Sequence, residues 1–249
     1  MFVAIAALAG LIAGSFFNVV IARLPRHESL LTPGSRCPSC GHPVRPYDNV
    51  PVLSWLILRG RCRDCGAPIS PRYPLVELLT AALFAAVVID SGADRHVWLG
   101  LALVCVLVPV AFIDLDHRII PNAIVLPGAV AAVAIVAATE PSKLPEHLIA
   151  GAAAAAFFLV AVLAYPRGMG MGDVKLAGVL GLYLGRAVGP AILVALLSGT
   201  LVGAVIIARK GAREGRKTAV PFGPFLALGG LVGLFAGPDI VDWYLDTFT

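Results

Sequence analysis

The chain has 249 residues, of which 59% are hydrophobic and only 14% charged, and its mean hydropathy is +0.89. A water-soluble domain carries about 25% charged residues, so a soluble fold of this size is excluded and the solvent for most of the chain is lipid. The net charge of +4 excludes nothing by itself; the distribution of the charges is what informs.

Apolar stretches long enough to cross a bilayer, about 20 residues each, fall near 2–22, 74–91, 96–113, 122–139, 147–165, 173–187, 189–208 and 222–238. They predict an all-α polytopic membrane protein of about eight transmembrane helices, the sixth short and rich in glycine. The first is expected to be a retained span rather than a cleaved leader. No basic residue precedes it at Met1-Phe2-Val3, and the positive charges follow it. Residues 23–73 stand apart, with eight arginines, many prolines and four of the five cysteines. They predict a small polar loop domain between span 1–22 and the membrane-embedded remainder, 74–249.

Eight spans make seven loops that alternate sides. One side collects sixteen basic residues: Arg23, Arg26, Arg36, Arg45, Arg59, Arg61, Arg63 and Arg72, then Arg118, Arg167 and Lys175, then Arg209, Lys210, Arg213, Arg216 and Lys217. The other side has three, Arg95, Lys143 and Arg186. The richer side is expected in the cytoplasm, with both termini outside and Trp243 and Tyr244 at the outer interface.

Within the loop domain, Cys37-Pro38-Ser39-Cys40 and Cys62-Arg63-Asp64-Cys65 are Cys-x-x-Cys knuckles separated by 21 residues, each followed by glycine (Gly41, Gly66). Four thiolates with no open position predict a structural zinc site. The alternative is a pair of disulfides, which a reducing cytoplasm disfavours. Cys105, among valines and leucines, reads as a small core hydrophobe. His42, surplus to a four-cysteine site, reads as a surface residue.

Charges at the edge of a membrane helix are costly and point to function. Asp114-Leu115-Asp116 closes the third predicted span, and Gly170-Met171-Gly172-Asp173-Val174-Lys175 opens the sixth, on the same side. On a helix, residues two apart do not face each other, so Asp114 and Asp116 are not each other's partner, and Asp173 supplies the facing carboxylate. The glycines beside it allow close backbone approach. Two carboxylates about 3 Å apart share one proton, which makes a general acid and a general base for peptide hydrolysis. Taken singly, each acid reads equally as a solvated helix end, with Asp173 favoured at a helix N-terminus; taken together at one membrane depth, they read as a pair.

These segments, in this order, resemble the bacterial type IV prepilin leader peptidase and N-methyltransferase family. The resemblance runs through Gly14-Ser15-Phe16-Phe17-Asn18-Val19, Arg23-Leu24-Pro25, the four-cysteine loop with Pro51-Val52-Leu53-Ser54-Trp55-Leu56 and Arg59-Gly60-Arg61-Cys62, and Ile69-Ser70-Pro71-Arg72-Tyr73-Pro74-Leu75-Val76-Glu77. It continues through Asp-x-Asp with Ile120-Pro121, Gly-x-Gly-Asp with Lys175-Leu176, and Pro221-Phe222-Gly223-Pro224. It implies an enzyme of the bacterial inner membrane with its active site facing the cytoplasm, 74–249 being an aspartyl peptidase domain. Prepilins or type II secretion pseudopilins would be cut after a glycine, and the new N-terminus methylated from S-adenosylmethionine. The resemblance carries the catalytic pair onto Asp114 and Asp173 and gives Asp116 a supporting role, as it does Gly170, Gly172 and Lys175. For methyl transfer it points to 23–73 and to Glu77, which reads equally as a structural acid paired with an arginine of the loop. Membrane lipid and the pilin substrate are the expected partners, and nucleic acid is not among them.

Two other readings stay open in the sequence. One is a peptidase without the methylase. The other is a non-enzymatic carrier or scaffold with a zinc ribbon, for which inverted repeats and mid-membrane polar residues are not seen.

Overall fold

The computed structural model describes residues 1–92, 94, 96–165, 169–211 and 220–248. Of the basic residues counted above, Arg95, Arg167, Arg213, Arg216 and Lys217 lie outside the described residues. Among the described residues the architecture is helical, with two isolated bridges, Arg36 with Pro43 and Arg61 with Pro68. The chain divides into two units, Met1–Asp94 and Arg95–Thr249.

The first unit is built on α1 (Phe2–Arg23) and α3 (Arg72–Ser91). Lipid gives no hydrophobic drive between two apolar helices, so close packing of small residues has to hold them. Gly10 and Gly14 supply it: a Cβ at Gly10 would lie 2.6 Å from Ala81 Cα, and one at Gly14 2.7 Å from Glu77 Cα. Phe17, Ile21, Val76, Phe84 and Val87 fill the seam on either side. The other faces present Ile5, Leu8, Ile12, Leu75 and Ile89 outward, as lipid-facing surfaces do. Between the two helices the chain folds into the polar knuckles and a short helix, α2 (Leu53–Ile57).

The second unit contains α4 (Val97–His117), α5 (Asn122–Thr139), α6 (Leu144–Ala164), α7 (Met171–Leu184), α8 (Val188–Lys210), α9 (Gly223–Phe235) and α10 (Gly237–Phe248). Helix α7 is central. Its Leu176, Leu180 and Tyr183 are buried in one core with Leu103, Leu107 and Val110 of α4, Val125 and Val136 of α5, Phe158 of α6, Ala195 of α8 and Leu226 of α9. The buried Tyr183 hydroxyl donates to the Gly128 carbonyl at 2.9 Å, fixing α7 against α5.

Helix ends pair in a way that shows alternation within this unit. At one end the Gly223 amide of α9 meets Asp114 of α4, and Lys175 of α7 meets Asn122 of α5. At the other, His96 and Lys143 both bind Glu140, Glu146 of α6 accepts from the Arg186 amide, and Arg186 binds Asp242.

All eight predicted spans are occupied by a helix, at α1 and α3–α9. By length and apolarity alone the described residues contain six spanning runs, or seven if the bent pair of α9 and α10 forms one. That count joins α7 and α8 into one run of 40 residues, Met171–Lys210. Packing separates them. Ala191 lies against Gly229 and Gly233, and Gly199 against Phe222, so α8 is antiparallel to α9 and ends where α7 begins. The turn between them is Gly185–Ala187, entered at Gly185 with φ +54°.

Most ends shift by one to three residues, and two differences bear on the site and its surroundings. The third helix runs to His117 rather than 113, so Asp114 lies inside its last turn. The last predicted span, 222–238, stops at Phe235 and turns by 68° into α10, with Pro238 at its start. Helix α10 carries Asp239, Asp242 and Asp246 together with a stack of Trp243, Tyr244 and Phe248, an amphipathic pattern suited to an interface.

Candidate functional site

The acid cluster of the second unit is assembled from three segments. Asp114, on the last turn of α4, is 5% exposed, and Asp173, third residue of α7, is 8% exposed. Both acids are buried within this unit, near enough for the charge of Asp114 to bear on Asp173. Acids at a helix C-terminus oppose the helix dipole, so Asp114 needs a compensating donor. In the fold its Oδ2 accepts the backbone N–H of Gly223 at 2.8 Å, across 109 positions of chain. A Cβ at position 223 would stand 2.7 Å from that oxygen, so only glycine lets the start of α9 come this close. Asp173 reaches back along its own helix, its Oδ2 accepting the Gly170 N–H at 3.0 Å, while its own N–H donates to the Gly170 carbonyl at 3.1 Å. That is the acidic arm of a capping box, and it fixes the carboxyl at the helix mouth.

The other predicted site residues surround this pair. Asp116 is exposed, on a different side of α4 from the buried Asp114. Gly172 lies against the link that follows α4, where a Cβ would come 2.8 Å from Ile120 Cβ. Lys175 is exposed and its Nζ donates to Asn122 Oδ1 at 2.9 Å, tying the start of α7 to the start of α5. Gly223 is the residue that sequence reasoning left without a role. Its motif was visible, but its contribution is a backbone amide, which no side-chain type announces.

In the first unit the two knuckles are a structural repeat, Arg-Cys-x-x-Cys-Gly-x-Pro, at 36–43 and 61–68. In each, the first cysteine N–H donates across the loop (to His42 O at 2.9 Å, to Ala67 O at 2.8 Å), and the glycine N–H returns to the cysteine carbonyl. Gly41 and Gly66 hold φ of +73° and +70°, the left-handed conformation that favours glycine. The four Sγ atoms lie within 4.8 Å of one another, with Cys37 and Cys65 3.8 Å apart. Tetrahedral zinc with bonds of about 2.3 Å spaces its sulfurs by about 3.8 Å, so the donor set fits that ion. All four are free thiols rather than disulfides. The amides of Cys40 and Ser39 hold the Cys37 thiol down at about 6, whereas burial and the hydrogen bonds of its cysteine neighbours push Cys40 up.

Two ion pairs brace the knuckles: Arg63 grips Asp48 with Nε at 2.9 Å and a terminal nitrogen at 2.6 Å, and Arg45 binds Asp64 at 3.1 Å. His42 is exposed and Cys105 half-buried. Glu77 is held by neutral donors. Its Oε2 accepts the N–H of Val52 at 2.8 Å, and the Ser15 hydroxyl binds it as well. Val52 carries φ +60°, a conformation that aims its amide at the acid and that a β-branched residue rarely adopts.

Residues 8–91 match the bacterial peptidase A24 N-terminal domain, and residues 101–208 match the type IV leader peptidase family. The chain is 36% identical over 271 residues to the prepilin leader peptidase/N-methyltransferase of Aeromonas hydrophila, covering 97% of this chain and 93% of that one. It is 34% identical over 273 residues to the protein of the same name in Pseudomonas aeruginosa, covering 98% and 93%. With that of Myxococcus xanthus it shares 44% identity over 182 residues, 70% of this chain but only 54% of that longer one. No solved structure matches the chain. Similarity of this extent, together with the helical membrane fold and the four-cysteine cluster, shows that the chain belongs to the type IV leader peptidase family.

Proposed function

We propose that this chain removes the leader from type IV prepilins or type II secretion pseudopilins by hydrolysis at Asp114 and Asp173, and methylates the amine so exposed. The observation that carries the proposal is the burial in one unit of two acids from separate helices, Asp114 held by the Gly223 amide and Asp173 by the Gly170 amide at the mouth of its own helix. With one carboxyl ionised and the other protonated, the ionised group takes a proton from water and the water oxygen adds to the peptide carbonyl carbon. The protonated group gives its proton to the carbonyl oxygen. Collapse of the intermediate then returns a proton to the leaving nitrogen. The exposed Asp116 supports the site without joining the pair, Gly170 and Gly172 shape the mouth of α7, and Lys175 with Asn122 holds it in place.

The paired helix ends and the sixteen-to-three split of basic residues support a site at the cytoplasmic face of the inner membrane. The loop 23–73 is then the cytoplasmic zinc domain and 74–249 the peptidase domain. Cys37, Cys40, Cys62 and Cys65 would hold zinc, which supplies folding energy to the loop rather than catalysis. The methyl donor would be S-adenosylmethionine, which supplies an electrophilic methyl on a sulfonium. The first unit holds a cavity of about 580 Å³ whose lining includes Trp55, Tyr73 and Glu77 together with Arg23, Arg26, Arg36, Arg45 and Arg63.

The test is incubation of the detergent-purified protein with a prepilin and S-adenosylmethionine. Mass spectrometry should show loss of the leader and, on the product alone, gain of one methyl group. An intact prepilin would overturn the proposal.

A further inference from the structure

Helix α9 begins without a side-chain cap of its own. Its N-cap position holds Phe222, where Ser, Thr, Asp or Asn is usual. The amides of Phe225 and Leu226 donate to the Phe222 carbonyl at 3.0 and 3.1 Å, and Pro224 has no N–H to offer. That leaves the Gly223 N–H, which no carbonyl of the same helix can take, and this is the amide that Asp114 of α4 accepts at 2.8 Å. The carboxylate of one helix thus caps another, so the geometry of Asp114 depends on where the first residue of α9 stands.

The residue that fixes it is Phe222. The Phe222 carbonyl and the Gly223 N–H belong to one planar peptide unit, so holding the phenylalanine holds the amide. Its ring reaches two further helices. The ring centroid lies 5.9 Å from that of Phe158 of α6, which is fully buried, and 6.1 Å from that of Phe225 one turn along α9. On another side is Gly199 of α8, where a Cβ would come 3.1 Å from Cε2 of the Phe222 ring and 3.5 Å from Cδ2 of Phe225. The first distance is tighter than ordinary contact, so the absence of a side chain at 199 is what lets the ring seat. Aromatic rings at these separations hold preferred orientations, and in lipid such packing is what sets one helix against another.

We propose that Phe222, seated between Phe158 and Gly199, is a positioning residue for leader cleavage that acts on Asp114 through the Gly223 amide. This rests on the aspartyl reading above. An aromatic side chain in a helical bundle commonly does no more than fill the core. Phe222 differs because its own peptide unit carries the donor that meets the acid.

The test is kcat and KM for prepilin cleavage by the full-length, zinc-loaded protein, with melting temperatures measured alongside. Phe222→Leu removes the ring but stays apolar, and should lower kcat by about 10- to 100-fold with KM little changed, as misplacement of a catalytic group does. Gly199→Ala acts from α8: it keeps the ring, displaces it slightly, and is the better helix former. It should lower kcat by about 3- to 10-fold while the melting temperature holds, a split that a ring serving only stability would not produce. Should Phe222→Leu not fold, the Gly199→Ala rate decides. Gly223→Ala already breaks the bond to Asp114, so adding Phe222→Leu to it should make cleavage no slower than Gly223→Ala alone. Wild-type protein that leaves the prepilin intact, or Asp114→Asn that cuts at full rate, would remove the underlying reading. With both of those as expected, Gly199→Ala or Phe222→Leu at the wild-type rate, or losses from Phe222→Leu and Gly223→Ala that multiply, would overturn the inference alone.

Discussion

Replacing Gly223 by alanine is the sharpest single perturbation of the acid pair, because it adds one methyl group and no charge. The new Cβ would stand 2.7 Å from Asp114 Oδ2 and 3.0 Å from both Asp114 Cβ and Cγ. Rotation of the aspartate about χ1 can move the oxygen, but it leaves the Cβ in place, so the start of α9 must also retreat. Either movement breaks the 2.8 Å bond from the Gly223 N–H, a charge-assisted bond worth about 1.5–3 kcal/mol. A displacement of about 1 Å in a catalytic group costs about 10²-fold in rate. Gly223→Ala should therefore lower kcat for leader cleavage by about 10²-fold with KM little changed, the pattern of a lost transition-state interaction. Single-turnover cleavage measures the first and substrate titration the second. Cleavage at the wild-type rate would show that the amide of Gly223 does not position Asp114.

Other consequences are equally direct. The protein should contain one zinc per chain, lost with Cys37→Ser or Cys62→Ser along with the fold of the loop; elemental analysis showing none would refute the site. The hydrogen-bonded Arg63 guanidinium holds the Asp48 carboxyl below its usual range, so this pair stabilises the loop above about pH 4 and loses that contribution as pH falls through the lowered value. Asp48→Asn should flatten that part of the acid dependence of melting, followed with zinc saturating; an identical acid profile would contradict it. A cysteine placed at Lys143 should be labelled from outside the cell and one at Glu28 only after permeabilisation, and the reverse result would invert the orientation.

The helical architecture was legible because lipid leaves few solutions. Each apolar run had to become a helix, and each did, with errors confined to ends. Asp114 was read as closing its span because a charge is costly at the edge of a membrane helix; its compensating amide comes from Gly223, 109 positions away, beyond any local pattern. Helix α10 was missed because its three aspartates break the apolar run that marks a span, although their spacing leaves an apolar face. The contrast between Asp114 and Asp116 could be read from helical periodicity alone, and the fold buries the first and exposes the second. Glu77 shows the opposite limit. An acid among many arginines suggests a salt bridge, yet its partner is the amide of Val52, reached through a backbone conformation that sequence gives little reason to expect.

The claim on which the account depends is that Asp114 and Asp173 form the catalytic pair, and single-turnover leader cleavage by three asparagine variants at matched protein levels tests it. Asp114→Asn and Asp173→Asn should remain folded and zinc-loaded yet lose at least the 10²–10⁴-fold, roughly, that removal of a general acid or base costs. Asp116→Asn should retain activity. Asp173→Asn cutting at the wild-type rate would contradict the aspartyl mechanism, and a dead Asp116→Asn beside an active Asp114→Asn would assign the pair to the wrong acid of α4.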